Sequence, residues 1–177
     1  ELGKFKTAIN YVYGTDSDTG WKELLTSVEY KGRNSNGNAV ITETKTIDYD
    51  EIGNPIKYLD YKMSWFGRQL EEITDDKGTT EKTDDDIITF TYGADGLRGT
   101  KTVKIGNKTE TSEYVYANGQ LAYEKRGDSE LYFFYDGLGH LAAIRYYEDA
   151  ASDTYTQCYV ATNMAGDVLN LIDGNGN

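Results

Sequence analysis

The chain is poor in the residues that most enzymes and metal proteins are built from. Its 177 residues include one cysteine, one histidine, one proline and two tryptophans. With Cys158 alone, an internal disulfide is impossible, as is a metal site of four cysteines or of two cysteines and two histidines. Between Gln157 and Tyr159, Cys158 reads as a small buried hydrophobe. No basic neighbour in the sequence lowers its pKa, which argues against a nucleophile. His140 directly follows Gly139 at an exposed strand start, and a single such imidazole reads as structural or as surface rather than as the base of a catalytic triad. Apolar runs such as Leu131 to Tyr135 are far too short to span a bilayer, and no signal peptide is visible. Cations are also scarce: 18 Lys and Arg against 30 Asp and Glu give a net charge of −12. A phosphate backbone is repelled by such a surface, so nucleic acid is not an expected partner. Glu1-Leu2-Gly3 opens the chain without Met and Gly174-Asn175-Gly176-Asn177 closes it inside a turn signal, so the sequence is expected to be a fragment of a larger protein.

Tyrosine and glycine are abundant, with 16 Tyr and 19 Gly beside 5 Phe. Tyr suits half-buried sheet faces, where the ring packs and the hydroxyl finds a polar partner, so an aromatic core is expected. Six times an Asp or Asn precedes a Gly by three residues: Asn34/Gly37, Asp50/Gly53, Asp75/Gly78, Asp136/Gly139, Asn163/Gly166 and Asp173/Gly176. This is the signature of a type I turn closed by a glycine at positive φ, and Gly53, Gly139 and Gly166 are expected to hold that conformation. Between the turns run period-two patterns, among them Thr7 to Tyr13, Ile87 to Tyr92, Glu113 to Tyr116 and Glu130 to Tyr135. Helical periodicity is nearly absent; Trp21 to Leu25 fits a single helical turn, yet Leu24 to Tyr30 reads equally well as a strand. The expectation is all-β, about a dozen antiparallel strands in short hairpins, one array over residues 1–177.

Aligning the turns exposes a repeat. Tyr49-Asp50 leads to Gly53, Tyr92 to Gly96, Tyr116 to Gly119, Tyr135-Asp136 to Gly139, and Asn163 to Gly166. These twelve residues are the candidate structural repeat motif. Irregular spacing with polar gaps at Asn34 to Asn38 and Asp75 to Asp86 fits an array in which each hairpin buries its face only against its neighbours.

Other chemistry finds little support. The carboxylates Asp75/Asp76 and Asp84/Asp85/Asp86 sit in polar loops and read as solvated faces rather than acid-base pairs. Asp16-Ser17-Asp18-Thr19-Gly20 with Glu23 begins like a calcium loop but lacks the third oxygen ligand and the twelfth-position glutamate. Asn107-Lys108-Thr109 fits a glycosylation triplet, which is three residues and little more. Gly137 and Gly139 lie in a hairpin without a following helix, so no phosphate loop forms. No cofactor and no metal is expected.

At the level of motifs the chain resembles the rearrangement hotspot (Rhs) proteins. Tyr-Asp-x-x-Gly-x-Leu, standing as Tyr49-Asp50 to Ile56 and as Tyr135-Asp136 to Leu141, is similar to their tyrosine-aspartate (YD) repeat. The run Met63 to Ile73 followed by Phe90 to Arg98 resembles the stretch before the Rhs-associated core of Gram-positive members, and Tyr159 to Asn177 resembles the start of that core. Gly93 and Ala117 depart from the usual Asp, and Asn163 carries an amide in its place. The resemblance implies a curved strip of hairpins in a large β-cage, which encloses or presents a C-terminal toxin and is secreted by, or displayed on, a bacterium. Its partners would be neighbouring repeats and the encapsulated toxin, and the strip itself would perform no chemistry. The aspartate-based self-cleavage motif Asp-Pro-x-Gly of that core is missing, the only Pro being Pro55 after Asn54. An alternative of another class is a cell-surface module binding cell-wall carbohydrate, for which only Trp21 and Trp65 supply the usual stacking ring.

Overall fold

The computed structural model describes residues 8–14 and 23–176. Fourteen strands and no helix occur among them, and the strands follow chain order in the sheet. Every recorded pairing is antiparallel, β1 with β2 (Ala8–Tyr13, Leu25–Arg33) being the first. The chain divides into two compact units, one ending at Ile87 and one beginning at Ile88. In the first unit β1 and β2 are followed by β3 (Ala39–Tyr49), β4 (Pro55–Tyr58), β5 (Tyr61–Phe66) and β6 (Gln69–Asp75). After β7 (Asp86–Tyr92), the second unit holds β8 (Arg98–Ile105), β9 (Lys108–Ala117), β10 (Gln120–Arg126), β11 (Ser129–Tyr135), β12 (Leu141–Tyr147), β13 (Thr156–Thr162) and β14 (Val168–Asp173).

Strands win because Thr, Val, Ile and Tyr alternate with polar residues between glycines placed where only a turn can use them. Leu25 opens β2, so the strand reading holds there; Trp21 itself, the stretch Asp16 to Gly20 and Thr7 lie outside the described residues. Within each unit, from β1 to β6 and from β8 to β14, the strands contact their neighbours in sequence. Among the described residues no large side chain is fully buried.

That scarcity of cover corrects the aromatic core. The buried apolar residues are Val28, Ile47 and Ala143, all small or aliphatic, while Tyr11, Tyr58, Tyr61, Tyr132 and Tyr159 remain exposed. The rings are too large to be enclosed by one layer of neighbours. Instead they pack side by side: Tyr123, Tyr132, Tyr147 and Tyr155 form a chain of ring contacts with centroids 5.0, 5.8 and 5.5 Å apart. Cys158 is likewise only half-buried, on β13 between Ile144 and Asp173 of the adjacent strands.

Candidate functional site

Two kinds of turn join the strands. One spans five residues. Its first residue donates its N–H to the carbonyl of the fifth, and the glycine at position four donates back to the carbonyl of the first. In Asp50–Asn54 these bonds are 2.9 and 3.1 Å; in Gly93–Leu97, 2.8 and 3.0 Å; in Asp136–His140, 2.9 and 3.1 Å; in Asn163–Asp167, 3.0 and 3.1 Å. Asn34–Asn38 closes in the same way, and Asp173–Gly176 repeats the inner bond. The glycines stand at φ of +83° (Gly53), +79° (Gly96), +86° (Gly139) and +88° (Gly166), a conformation that costs a side-chain-bearing residue roughly 1–2 kcal/mol.

The acidic or amide side chain completes the turn as a staple. Asp136 Oδ1 accepts from the amides of Leu138 (2.8 Å) and His140 (2.9 Å), Asp50 Oδ1 from Ile52 (3.0 Å) and Asn54 (2.8 Å), and Asn163 Oδ1 from Ala165 (2.9 Å) and Asp167 (3.0 Å). An amide oxygen and a carboxylate oxygen thus do the same work, which is why Asn163 keeps the geometry. In Gly93–Leu97, which lacks that side chain, Asp95 Oδ1 takes the Leu97 amide at 3.0 Å. Electrostatics follow. The His140 amide, helped by Leu138, holds the Asp136 carboxyl below the usual carboxylate range. At Asp50 burial pushes the carboxyl upward, but the Asn54 and Ile52 hydrogen bonds and the Arg68 charge outweigh it and the net shift is downward.

The second kind of turn is a two-residue hairpin. Gly67, Gly106 and Gly127 fill its first position at positive φ, and so does Leu59 at +58°. Two sequence assignments change here. Gly119 belongs to this second kind: Ala117 pairs with Gln120, and Asn118 and Gly119 both have positive φ, the Asn-Gly type I′ pattern that needs no acid before it. The turn expected from Asp75 to Gly78 is displaced by one residue, because Thr79 N–H bonds the Asp76 carbonyl at 2.8 Å with Lys77 and Gly78 both at positive φ.

The tyrosine before the Asp is a strut between strands. Tyr49 Oη donates to the Leu25 carbonyl and Tyr135 Oη to the Leu121 carbonyl, both at 2.9 Å, and Trp65 Nε1 reaches the Pro55 carbonyl at 2.8 Å. Leu25, Leu121 and Pro55 each stand at a register shift in the preceding strand, and Tyr49, Tyr135 and Trp65 each stand at the shift of their own. A bulge frees main-chain polar groups, and the ring of the next hairpin supplies the donor. Burial raises the phenols of Tyr49 and Tyr135 above the usual value, keeping them protonated donors. Side-chain amides add links between turns: Asn54 Nδ2 to the Gly67 carbonyl at 2.7 Å and Gln120 Nε2 to the Gly139 carbonyl at 2.8 Å. Sequence reading found the Tyr and the Asp but not Trp65, Asn54 or Gln120, whose partners are carbonyls ten or more residues away and leave no local signature.

The groups weighed as chemical have ordinary partners. His140 Nδ1 lies 3.5 Å from Asp136 Oδ2. Asp76 pairs with Lys62 at 2.6 Å and Asp86 with Lys77 at 2.9 Å, so these acids are tied into ion pairs rather than simply solvated, and Asp85 is buried. No cluster of three or more His, Cys, Asp or Glu able to hold a metal is found among the described residues.

Among solved structures, the chain is similar to a stretch of the Photorhabdus luminescens Tc holotoxin pore carrying a TccC3 mutation, with TM-score 0.51, and of the TcdB2-TccC3 crystal structure, with TM-score 0.50. Both are 16% identical and cover 95% of this chain. The fold is that of an Rhs-type shell. Likeness at this identity speaks for the Rhs fold alone, and the chain spans 9% of the length of those chains. No family model and no curated protein matches it.

Proposed function

We propose that this chain is a wall segment of an Rhs/YD-repeat shell from a secreted or surface-displayed bacterial toxin, enclosing or presenting a C-terminal effector and performing no chemistry of its own. The observation that carries this reading is the alternation of stapled turn and tyrosine strut. Its distinctive residues are committed to structure: Asp50, Gly53, Asp136, Gly139, Asn163 and Gly166 close the turns, and Tyr49 and Tyr135 tie each hairpin to the strand before it. Fold likeness over 95% of the chain to toxin-complex proteins supports the same role. The partners are then the flanking repeats of the parent protein and its effector.

The carbohydrate module is less well supported. Tyr123, Tyr132, Tyr147 and Tyr155 meet at interplanar angles of 57°, 72° and 48°, so they pack against each other and do not line up as a row of flat platforms. Trp65 is tied to Pro55.

Protease protection in the full-length parent tests the proposal. The effector is expected to survive digestion inside the intact parent and to be cut once Asp50→Ala and Asp136→Ala loosen the wall. Equal cutting rates for the enclosed and the separately expressed effector would overturn it.

A further inference from the structure

With one cysteine, the chain has no internal disulfide to staple one strand to the next. Tyrosine offers another covalent route. Tyr123 on β10 and Tyr132 on β11 stand directly opposite each other in register across the Gly127-Asp128 turn. Their ring centroids are 5.0 Å apart and the planes are tilted by 57°. Two phenol rings joined by a carbon–carbon bond are only slightly closer and are twisted about that bond, so little movement separates contact from linkage.

The hydroxyls are gathered as well. Tyr123 Oη donates to Glu130 Oε1 at 2.8 Å and Tyr132 Oη to Glu130 Oε2 at 2.9 Å. One carboxylate thus holds both phenol oxygens side by side, and in a joined pair the two hydroxyls flank the new bond in just this way. Glu130 is also a proton acceptor within hydrogen-bond reach of each phenol, which a phenol needs when it gives up an electron at neutral pH. Burial, with the Glu130 hydrogen bond behind it, pushes the Tyr123 phenol up to about 12, so it meets an oxidant in its protonated form. Tyr132 is exposed, which opens the pair to such a reagent.

The rest of the row is set up differently. Tyr147 and Tyr155 have centroids 5.5 Å apart, but among the described residues no carboxylate accepts from either hydroxyl. The Arg145 guanidinium lies 4.4 Å from the Tyr155 centroid, and a cation there opposes the loss of an electron from that ring. Oxidation is therefore held at the Glu130 end.

We propose that Tyr123 and Tyr132 form an oxidative cross-link, with Glu130 as the proton acceptor and a one-electron oxidant of the haem-peroxidase class, recharged by hydrogen peroxide. Each phenol passes one electron to the oxidant and one proton through Glu130 to water. The two phenoxyl radicals couple ortho carbon to ortho carbon, and the ortho hydrogens then shift to the oxygens and restore both phenols. One carbon–carbon bond forms, two ring carbon–hydrogen bonds and the peroxide O–O bond break, and two waters leave. The link ties β10 to β11 and restricts the unfolded chain as a disulfide does. This holds whether or not the chain is a shell wall.

The test treats the dilute whole chain with a haem peroxidase and stoichiometric hydrogen peroxide, followed by dityrosine fluorescence and peptide mapping by tandem mass spectrometry. A monomer lighter by two hydrogens is expected, with the Tyr123 and Tyr132 peptides joined and the melting temperature raised. Tyr123→Phe or Tyr132→Phe should abolish that link, and Glu130→Gln should slow its formation about tenfold or more. Tyr159→Phe, on β13 at 55% exposure, should leave it unchanged. Circular dichroism of each variant separates a lost link from a lost fold. Absence of a cross-link, a link that maps mainly to Tyr147, Tyr155 or a second chain, or an unchanged rate in folded Glu130→Gln would overturn the proposal.

Discussion

Residue by residue, the repeat is a set of interchangeable hydrogen-bonding roles. Asn54 Nδ2 donates to Asp50 Oδ2 across one turn, and Asn163 Nδ2 donates to Asp167 Oδ2 across another, both at 2.8 Å, so amide and acid have exchanged seats. Asn163→Asp should therefore set two carboxylates against each other and cost about 1 kcal/mol, while Asn163→Asp with Asp167→Asn should recover most of it. A thermal-melt double-mutant cycle checks this. Leu59 occupies a seat that glycine fills in three other turns, so Leu59→Gly should stabilise by about 0.5–1 kcal/mol, the relief of left-handed strain less the added freedom of the unfolded chain. Denaturant midpoints measure it. Asp136, depressed in the folded state, stabilises fully above its ordinary pKa near 3.8 and loses that contribution as pH falls through its lower folded value. Asp136→Asn keeps the accepting oxygen, as Asn163 does, so its melting temperature should fall less between pH 5 and pH 2, by differential scanning calorimetry, than that of the unmodified chain. These effects were legible only in part: Tyr135, Asp136 and Gly139 lie close in sequence, whereas Leu59 carries no turn signal and Gly119 borrows the spacing of a turn it does not form.

Among elements, period-two alternation announced the strands, and glycine spacing announced most of the turns that join them. What alternation cannot encode is how many layers cover a strand, and so it misplaced the aromatic core. Tyr132 alternates as a core residue would, yet it is exposed at 37% and meets the rings of Tyr123 and Tyr147 instead of being enclosed. Strand length was equally hidden: nothing local announces that β4 stops at Tyr58 while β3 runs for eleven residues. The outermost described strands are β1 and β14, with Ile9, Tyr11, Leu169 and Leu171 exposed. Such edges pair with other chains. The chain should self-associate with rising concentration, and more so at high salt, where screening relaxes the repulsion of its −12 charge. Static light scattering between low and molar salt checks this; a constant monomer mass throughout contradicts it.

On the scale of the whole molecule, described strands that contact their sequence neighbours make the fold additive, with Tyr49, Trp65 and Tyr135 supplying donors to the bulge of the strand before and Asn54 and Gln120 linking turns. Additivity is what allows a wall to be lengthened by repetition, and it connects the staple at Asp136 to the proposed shell. The segment covers a small share of the toxin-complex chains it resembles. The most direct measurement is an electron cryomicroscopy reconstruction of the full-length parent. Under the proposed function, further hairpins are expected to pair with β1 and β14 and the continued wall to surround density for an effector. A closed domain in which β1 pairs with β14, with no enclosed volume, would contradict it.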